Sequence, residues 1–245
     1  MFDLIALVFA VFLLLQLQRV RALLSMTFPE LRMRRIAAPR VPEAMADLYA
    51  QAAAELDPLG FEGPAWYLLD SPDGSVLAQP VASWRQREHG DVLWLFAPSS
   101  PAVPNRLTAV FMCRLADGRH CISESFDAFA EVLSDERIIG QTIGGADLAA
   151  QWQAHRAACA RHGTVDPSGA DDAALAWLAD ALHAQRVASL VQRRKVYRDS
   201  RGLLRPTLAF AWQIYRAMAR LPRPPASTEP VPPARLAWLS QVMQR

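Results

Sequence analysis

The chain has 245 residues, of which 52% are hydrophobic, and a formal net charge of +2. A charge this close to neutral does not by itself indicate a nucleic-acid partner, and the length is enough for one large hydrophobic core or two small ones. The three cysteines have no CxxC spacing, so they do not indicate a disulfide framework and are typical of a reducing cytoplasm; they are Cys113, Cys121 and Cys159.

The N-terminal segment, residues 1–24, predicts a transmembrane anchor. No polar side chain occurs from Leu4 to Leu15, and Arg19 and Arg21 follow. A helix over the whole segment is long enough to span the ~30 Å hydrocarbon core of a bilayer. A secretory signal peptide would carry basic residues before its apolar run, and a soluble core helix would carry a polar face. Because the arginines follow the segment, we predict a single-pass inner-membrane protein with its N-terminus outside and its main domain in the cytoplasm.

A basic stalk at 25–41 and a domain at 42–163 are predicted next. Pro42 and Glu43 begin an alanine-rich helix that ends near Leu56. Short β-rich runs follow, bounded by turn sequences. No segment of helical length separates them, so the sequence predicts an α+β fold with an antiparallel β-meander flanked by helices. The predicted strands are Ala65–Leu69, Val76–Trp84, Asp91–Phe96, Leu107–Leu115 and Arg119–Ser123.

The hairpin turn at 117–118 decides where two of the cysteines lie. A two-residue turn pairs Leu115 with His120, which places Cys113 and Cys121 on opposite faces of the sheet and excludes a shared metal ion. A three-residue turn would put both thiols on one face. The exclusion therefore depends on the length of the turn.

The C-terminal part is predicted to be helical with a small wing. Residues 127–133 are predicted to form a short helix or turn, and 137–145 a glycine-bearing connection. The later elements are a helix at 147–162 capped by Asp147, a helix at 171–194, a wing-like hairpin at 195–207 and a helix at 208–221. Six prolines in 222–233 indicate a linker, and 234–243 a short amphipathic helix. We therefore expect a helical section with a wing-like hairpin at 171–221 and a proline-rich linker with a tail at 222–245.

Four segments resemble a bacterial protein family. They are Leu56-Asp-Pro-Leu-Gly-Phe61, Ala116-Asp-Gly-Arg-His120, Gln153-Ala-His155-Arg156, and the stretch from Gln192-Arg-Arg to Arg201-Gly-Leu-Leu-Arg-Pro-Thr207. In these segments the chain is similar to uncharacterised single-span membrane proteins with an α+β cytoplasmic domain. The resemblance covers much of the chain and implies that architecture, but it implies no activity and no functional residue.

No constellation in the sequence predicts a catalytic, cofactor or metal site. His155 and Cys159 are four residues apart on one helix, but two ligands make only the edge of a metal site, and we favour simple packing. The Ser123–Ser125 segment has no GxSxG elbow. The segment 140–145 lacks the Gly-Lys-Ser/Thr ending of a P-loop. The sequence therefore predicts a non-enzymatic protein without a cofactor or an identifiable small-molecule ligand.

Basic residues are concentrated at the end of the predicted helix 171–194 and in the wing-like hairpin that follows it. Three interpretations of this basic cluster are open. It is a patch against anionic lipid headgroups, a winged-helix nucleic-acid interface, or an ordinary solvated face. The solvated face is favoured over the membrane patch, and nucleic acid is disfavoured. The candidate membrane or partner contacts are Arg193, Arg194, Lys195, Arg201, Trp212 and Trp238.

The function predicted from these patterns is that of a membrane-anchored accessory, scaffold or sensor protein that contacts the lipid bilayer and a membrane-protein partner. The tail supports this role because its apolar edge is suited to docking on a partner. The alternative is a membrane-tethered, winged-helix-like nucleic-acid-binding or regulatory factor. An enzyme with a polar pocket around His120, Cys121 or Glu124 is the third hypothesis.

Overall fold

The computed structural model describes a seven-stranded sheet flanked by helices. The described residues are 2–28, 30–37, 41, 43–71, 78–98, 106–125, 129–144, 147–171, 175, 181–220 and 231–243. The strands lie side by side in chain order as β1 (Arg32–Ile36), β2 (Glu62–Asp70), β3 (Gln79–Gln86), β4 (Asp91–Phe96), β5 (Thr108–Arg114), β6 (His120–Ser125) and β7 (Ile138–Ile143).

Helices and a second, smaller sheet complete the described part of the chain. The helices are α1 (Phe2–Ser25), α2 (Glu43–Leu56), α3 (Phe129–Val132), α4 (Leu148–Ala160), α5 (Leu182–Gln192), α6 (Leu208–Met218) and α7 (Pro233–Met243). A two-stranded hairpin, β8 (Val196–Arg198) and β9 (Leu204–Pro206), lies between α5 and α6, where the sequence predicts a wing.

The sheet is mixed, which corrects the predicted antiparallel meander while the α+β class is confirmed. Strands β1 to β6 pair antiparallel, whereas β7 runs parallel to β6, with His120 opposite Ile138. The connection that contains α3 returns the chain to the starting end of β6, as a parallel pair requires. Gly140 permits the close approach of α3, because a Cβ at this position would overlap the main-chain carbonyl of Ala130. The segment predicted as a connection is therefore a strand.

An edge strand lies within the segment predicted to be a basic stalk. β1 pairs antiparallel with β2, with Arg32 opposite Asp70 and Ile36 opposite Trp66. The guanidinium of Arg34 donates to the carboxylate of Asp70 at 2.9 Å. Arginines on an edge strand discourage pairing with another chain. They also interrupt the alternation of apolar residues by which a strand is predicted from sequence.

The predicted transmembrane anchor is the second correction. Among the helices whose residues the structure describes, none is long and apolar enough to cross a membrane. The apolar stretch of α1 is interrupted from Gln16 onward, and the Tyr215 hydroxyl donates a hydrogen bond to the Gln16 side chain. Leu23, near the end of α1, is buried in a cluster with Leu190 and Phe210 of α5 and α6.

The two faces of the main sheet have separate cores. Helices α2 and α4 cover one face, hereafter the α4 face, where Leu93 and Phe111 are fully buried. The next residues along the same strands, Trp94 and Met112, point to the opposite face and pack with Leu182 at the start of α5. This alternation follows from the two-residue period of a strand.

Several local predictions are confirmed. Asp147 caps α4, since its carboxylate accepts a hydrogen bond from the Ala150 amide at 2.7 Å. The predicted tail helix is α7, and the Nη2 of its Arg235 donates to both carboxylate oxygens of Asp47 of α2, at 2.7 and 2.6 Å. The predicted helix start at Pro42, residues 172–174 and 176–180 of the predicted helix 171–194, and the prolines before residue 231 lie outside the described residues.

Candidate metal centre

The β5–β6 hairpin places two cysteines on one face of the sheet. Its turn has three residues, 116–118, and the Leu115 amide donates to the Arg119 carbonyl at 2.7 Å. His120 is therefore opposite Arg114 rather than Leu115, so the predicted two-residue turn is wrong and the three-residue alternative holds. Since a shift of one residue reverses every side chain in a strand, Cys113 and Cys121 become direct neighbours on the α4 face.

A row of cross-strand partners passes under α4. Asp91 of β4 is opposite Cys113, which is opposite Cys121 of β6. The adjacent row on the same face contains Ser123 of β6 beside Gln141 of β7. Directly paired residues share a face, so these five polar side chains point at the same helix.

Helix α4 supplies the other half of the site from one stripe of its surface. Trp152, His155 and Cys159 follow one another at intervals of three and four residues, which places them on one helical face. All three side chains are buried, and His155 and Cys159 are completely shielded from solvent. The helix thus presents an imidazole and a thiol to the cysteines of the sheet.

We name Cys113, Cys121, Cys159 and His155 the thiol–imidazole cluster. The Sγ atoms of Cys113 and Cys159 are 3.4 Å apart, and both ring nitrogens of His155 are 3.6 Å from the Cys159 Sγ. Cys121 is the cross-strand partner of Cys113 on the same face and packs in one buried cluster with Cys113 and Cys159. The ligand atoms of Cys113, His155 and Cys159 all lie within 4.8 Å of one another, a spacing that a single metal ion can bridge.

The pKa values of the three thiols are shifted in different directions because the thiols contact one another. Hydrogen bonds from Cys113 and Cys159 lower the pKa of the Cys121 thiol below its ordinary value. The same contact with Cys121 raises the pKa of Cys113. Contacts with Cys113 and Cys121 raise the pKa of Cys159.

A chain of hydrogen bonds orients the imidazole. The Gln141 Nε2 donates to the Ser123 Oγ at 2.6 Å, and the same Oγ lies 2.6 Å from the His155 Nδ1. When the Ser123 hydroxyl donates to Nδ1, the ring proton is on Nε2, which lies 3.6 Å from the acceptor oxygen Oδ1 of Asp91. The other oxygen of Asp91 accepts from the Trp152 Nε1 at 2.7 Å.

Ser123, His155 and Asp91 have the order of a hydrolase triad, but the arrangement does not support nucleophilic catalysis. All three residues have 0% solvent exposure, so a substrate carbonyl has no access to the Ser123 Oγ. A nucleophile also needs an exposed reacting position near its base. The network therefore orients His155 rather than activating Ser123.

The residues predicted as membrane or partner contacts lie elsewhere and do not converge. Arg193 and Lys195 donate to the main-chain carbonyls of Ser134 and Val132, which ties the wing to the α3 region. Arg194 and Arg201 are exposed. Trp212 is half exposed and stacks on Tyr215. Trp238 lies in α7, and its side chain is outside the described part of the structure.

Comparison with protein-family models, curated proteins and solved structures finds no match to this chain. The interpretation of the site therefore depends on its own geometry, and the family resemblance stays a prediction. Sequence reasoning found the His155–Cys159 pair from its helical spacing. It missed Asp91 and Gln141, because only the strand register brings them to the site.

Proposed function

We propose that this protein binds a transition-metal ion of the zinc class in the thiol–imidazole cluster. The observation that supports the proposal is the convergence of Cys113, Cys159 and the fully buried His155, whose ligand atoms all lie within 4.8 Å of one another. Two sulfurs and one imidazole nitrogen form three corners of a tetrahedral donor set, and Cys121, the cross-strand partner of Cys113, would supply the fourth ligand of a closed structural zinc site. Soft thiolate ligands also favour zinc over the harder calcium and magnesium ions.

The distances suit such an ion. With zinc–sulfur bonds of about 2.3 Å, tetrahedral ligand sulfurs lie roughly 3.8 Å apart. The Cys113 and Cys159 Sγ atoms are 3.4 Å apart, and the Cys159 Sγ is 3.6 Å from the imidazole nitrogens. Outward movement of a few tenths of an ångström in each side chain would admit the ion.

Asp91 supplies the outer support that a ligating histidine needs. Its Oδ1 is buried, faces the His155 Nε2, and has no hydrogen-bond partner among the described residues. If the Nδ1 held the metal in place of its contact with Ser123, the Nε2–H would donate to this oxygen. A carboxylate behind a histidine ligand fixes the ring tautomer and increases the basicity of the ligand.

The ion would have a structural role. It would join α4 to β5 and β6 and add metal–ligand bonds to the packing and hydrogen bonds that already connect these three elements. Because an unfolded chain has no preformed site, the binding free energy becomes folding free energy. The accessory or scaffold role predicted from sequence is compatible with such a centre and remains a prediction.

A disulfide switch is the competing use of the same thiols, and burial disfavours it. Cys113 and Cys159 are close enough to be joined if an oxidant removed two electrons and two protons. Their exposure is 2% and 0%, however, whereas redox-sensing cysteines are solvent-accessible. An ion can enter during folding, but a peroxide would need the folded site to open.

Cobalt substitution tests the proposal. The full-length protein, purified under reducing conditions and stripped with a chelator, is titrated with Co²⁺ and followed by absorption spectroscopy. We expect one equivalent to bind, with sulfur-to-cobalt charge-transfer bands and the intense visible bands of tetrahedral cobalt. Zinc should then displace the cobalt and raise the melting temperature. At a free zinc concentration of 100 times Kd, the gain is about 2.7 kcal/mol, or roughly 5–10 °C.

Matched variants distinguish the loss of a metal ligand from a loss of folding. Cys159→Ser and His155→Asn should lose the tetrahedral cobalt spectrum, whereas His162→Asn, which alters an exposed histidine just beyond α4, should keep it. Folding of each variant is checked by circular dichroism. Absence of cobalt uptake by the folded wild-type protein would sink the proposal, as would an unchanged spectrum in Cys159→Ser.

A further inference from the structure

A cavity of about 160 Å³ lies on the sheet face opposite the thiol–imidazole cluster. Its walls are mainly apolar side chains from the strands, among them Met33, Trp94 and Met112. The first turns of α5 close one side of it and contribute Arg186, which faces Glu124 of β6. The cavity is independent of the proposed metal centre, since strand alternation separates the two faces.

Two residues that line the cavity have buried polar donors that the described residues leave unpaired. Arg186 uses its Nη1 to contact the Glu124 carboxylate at 3.2 Å, but its buried Nε and Nη2 have no hydrogen-bond partner there. The indole Nε1 of Trp94, a residue with 1% exposure, is likewise unpaired. Buried donors without acceptors are costly, so a small shift of either side chain toward an occupant with acceptor oxygens would be favourable.

The geometry of the guanidinium indicates which acceptor group that occupant would carry. The Nε and Nη2 of an arginine lie on the same edge, and their N–H bonds form a fork that matches the two oxygens of a carboxylate. Only the other side of Arg186, through the Nη1, is occupied by Glu124. Arg186 is therefore able to bridge two carboxylates, one from the protein and one from a ligand.

We propose that this cavity binds a small carboxylate with an apolar body about the size of one aromatic ring. Its volume is close to that of an engineered apolar cavity of about 150 Å³ that binds benzene. The ring would contact the apolar walls, and the carboxylate would accept hydrogen bonds from the free edge of Arg186. This ligand site goes beyond the proposed metal binding and does not depend on it.

Benzoate is the probe for the test. Binding to the full-length protein is measured by isothermal titration calorimetry and by ligand-observed NMR, with toluene as the ligand that lacks the carboxylate. We expect saturable benzoate binding with a Kd below about 1 mM, a plausible affinity for nine heavy atoms.

The informative variant is the double substitution Glu124→Gln with Arg186→Gln, which removes the charge pair together and leaves no unpaired buried carboxylate. It should weaken benzoate binding about tenfold or more, because hydrogen bonds to a charged partner are lost, and should change toluene binding little. Val110→Phe, which fills the cavity from β5, should weaken both ligands. Arg34→Gln, in an exposed arginine–aspartate pair on the edge strand, is the matched control and should bind benzoate normally.

Two results would overturn the proposal. One is the absence of benzoate binding up to 10 times the expected Kd. The other is equal benzoate affinity in the wild-type protein and in a folded double variant, which would place the benzoate elsewhere.

Discussion

At the scale of single residues, Asp91 is the least expected feature of the molecule. The carboxylate is completely buried, yet it is held by the Trp152 indole at 2.7 Å and approached by His155 and Arg156 at 3.6 and 3.5 Å. Buried charges persist when they are paired and hydrogen-bonded. Asp91, the first residue of β4, thus contacts three residues along α4. It also positions the imidazole of the thiol–imidazole cluster.

Because the Trp152 indole donates to Asp91, we expect Trp152→Phe to lower the free energy of unfolding more than Trp212→Phe does. Trp152→Phe keeps most of the ring packing but removes a donor from a buried carboxylate, which should cost about 1–3 kcal/mol of the free energy of unfolding. Trp212→Phe alters a half-exposed ring and should change that free energy by no more than about 0.5 kcal/mol. Urea denaturation of the chelator-treated proteins gives both values. Equal midpoints for the two variants would contradict the importance of the indole–carboxylate hydrogen bond.

At the scale of secondary-structure elements, one turn decides whether the cluster exists. The Asp117-Gly118 sequence suits a two-residue turn, but the hairpin uses three residues and Gly118 adopts a φ of 86°. Such a turn, with a left-handed residue at its end, is the usual three-residue solution. Its one-residue shift brings Cys121 to the α4 face, so hairpin geometry and metal ligation are linked.

Gly118→Ala measures how far the turn depends on the left-handed conformation. A Cβ at residue 118 meets no atom within 4 Å, so the expected loss of about 1–2 kcal/mol is purely a backbone cost. Gly144→Ala is the matched control, because its surroundings are equally open and its φ is not left-handed. It should be neutral or slightly stabilising. Thermal or urea unfolding compares the two, and similar losses in both variants would contradict this account of the turn.

At the scale of the whole molecule, the described structure has cores on both sheet faces and a third cluster near the N-terminal helix. That cluster joins the end of α1 to α5 and α6 through Leu23, Leu190 and Phe210. The Phe28 amide also donates to the Leu204 carbonyl of the wing at 3.0 Å. The N-terminal segment is therefore packed against the C-terminal section rather than separate from it.

Removal of residues 2–24 should affect the C-terminal section and spare the sheet. The deletion exposes Phe210 and Ile214, both nearly inaccessible in the intact chain, so α6 should open more often. Hydrogen exchange followed by mass spectrometry should show faster exchange in α6 and unchanged exchange in β4 and β5. Uniformly faster exchange across the molecule, or no change in α6, would disagree with this division.

The residues missed by sequence analysis share a physical cause. The edge strand β1 was missed because arginines replace the apolar alternation that identifies strands, and β7 because Gly140 and polar neighbours are typical of a connection. The helical stripe of His155 and Cys159 was recognised because it depends on spacing along one helix. Asp91, Ser123 and Gln141 lie far apart in the sequence, and only strand pairing makes them neighbours.

Local sequence alone determined the α+β class, most strand positions, the Asp147 cap, the wing hairpin and the tail helix, because each depends on periodicity or capping within a short stretch. Tertiary structure alone decided the parallel β7, the packing of α1 against α6, the convergence of the three thiols and the cavity around Arg186. These features depend on strand register and on which surfaces meet, and a register that shifts by one residue leaves the local pattern almost unchanged while it moves every side chain to the other face.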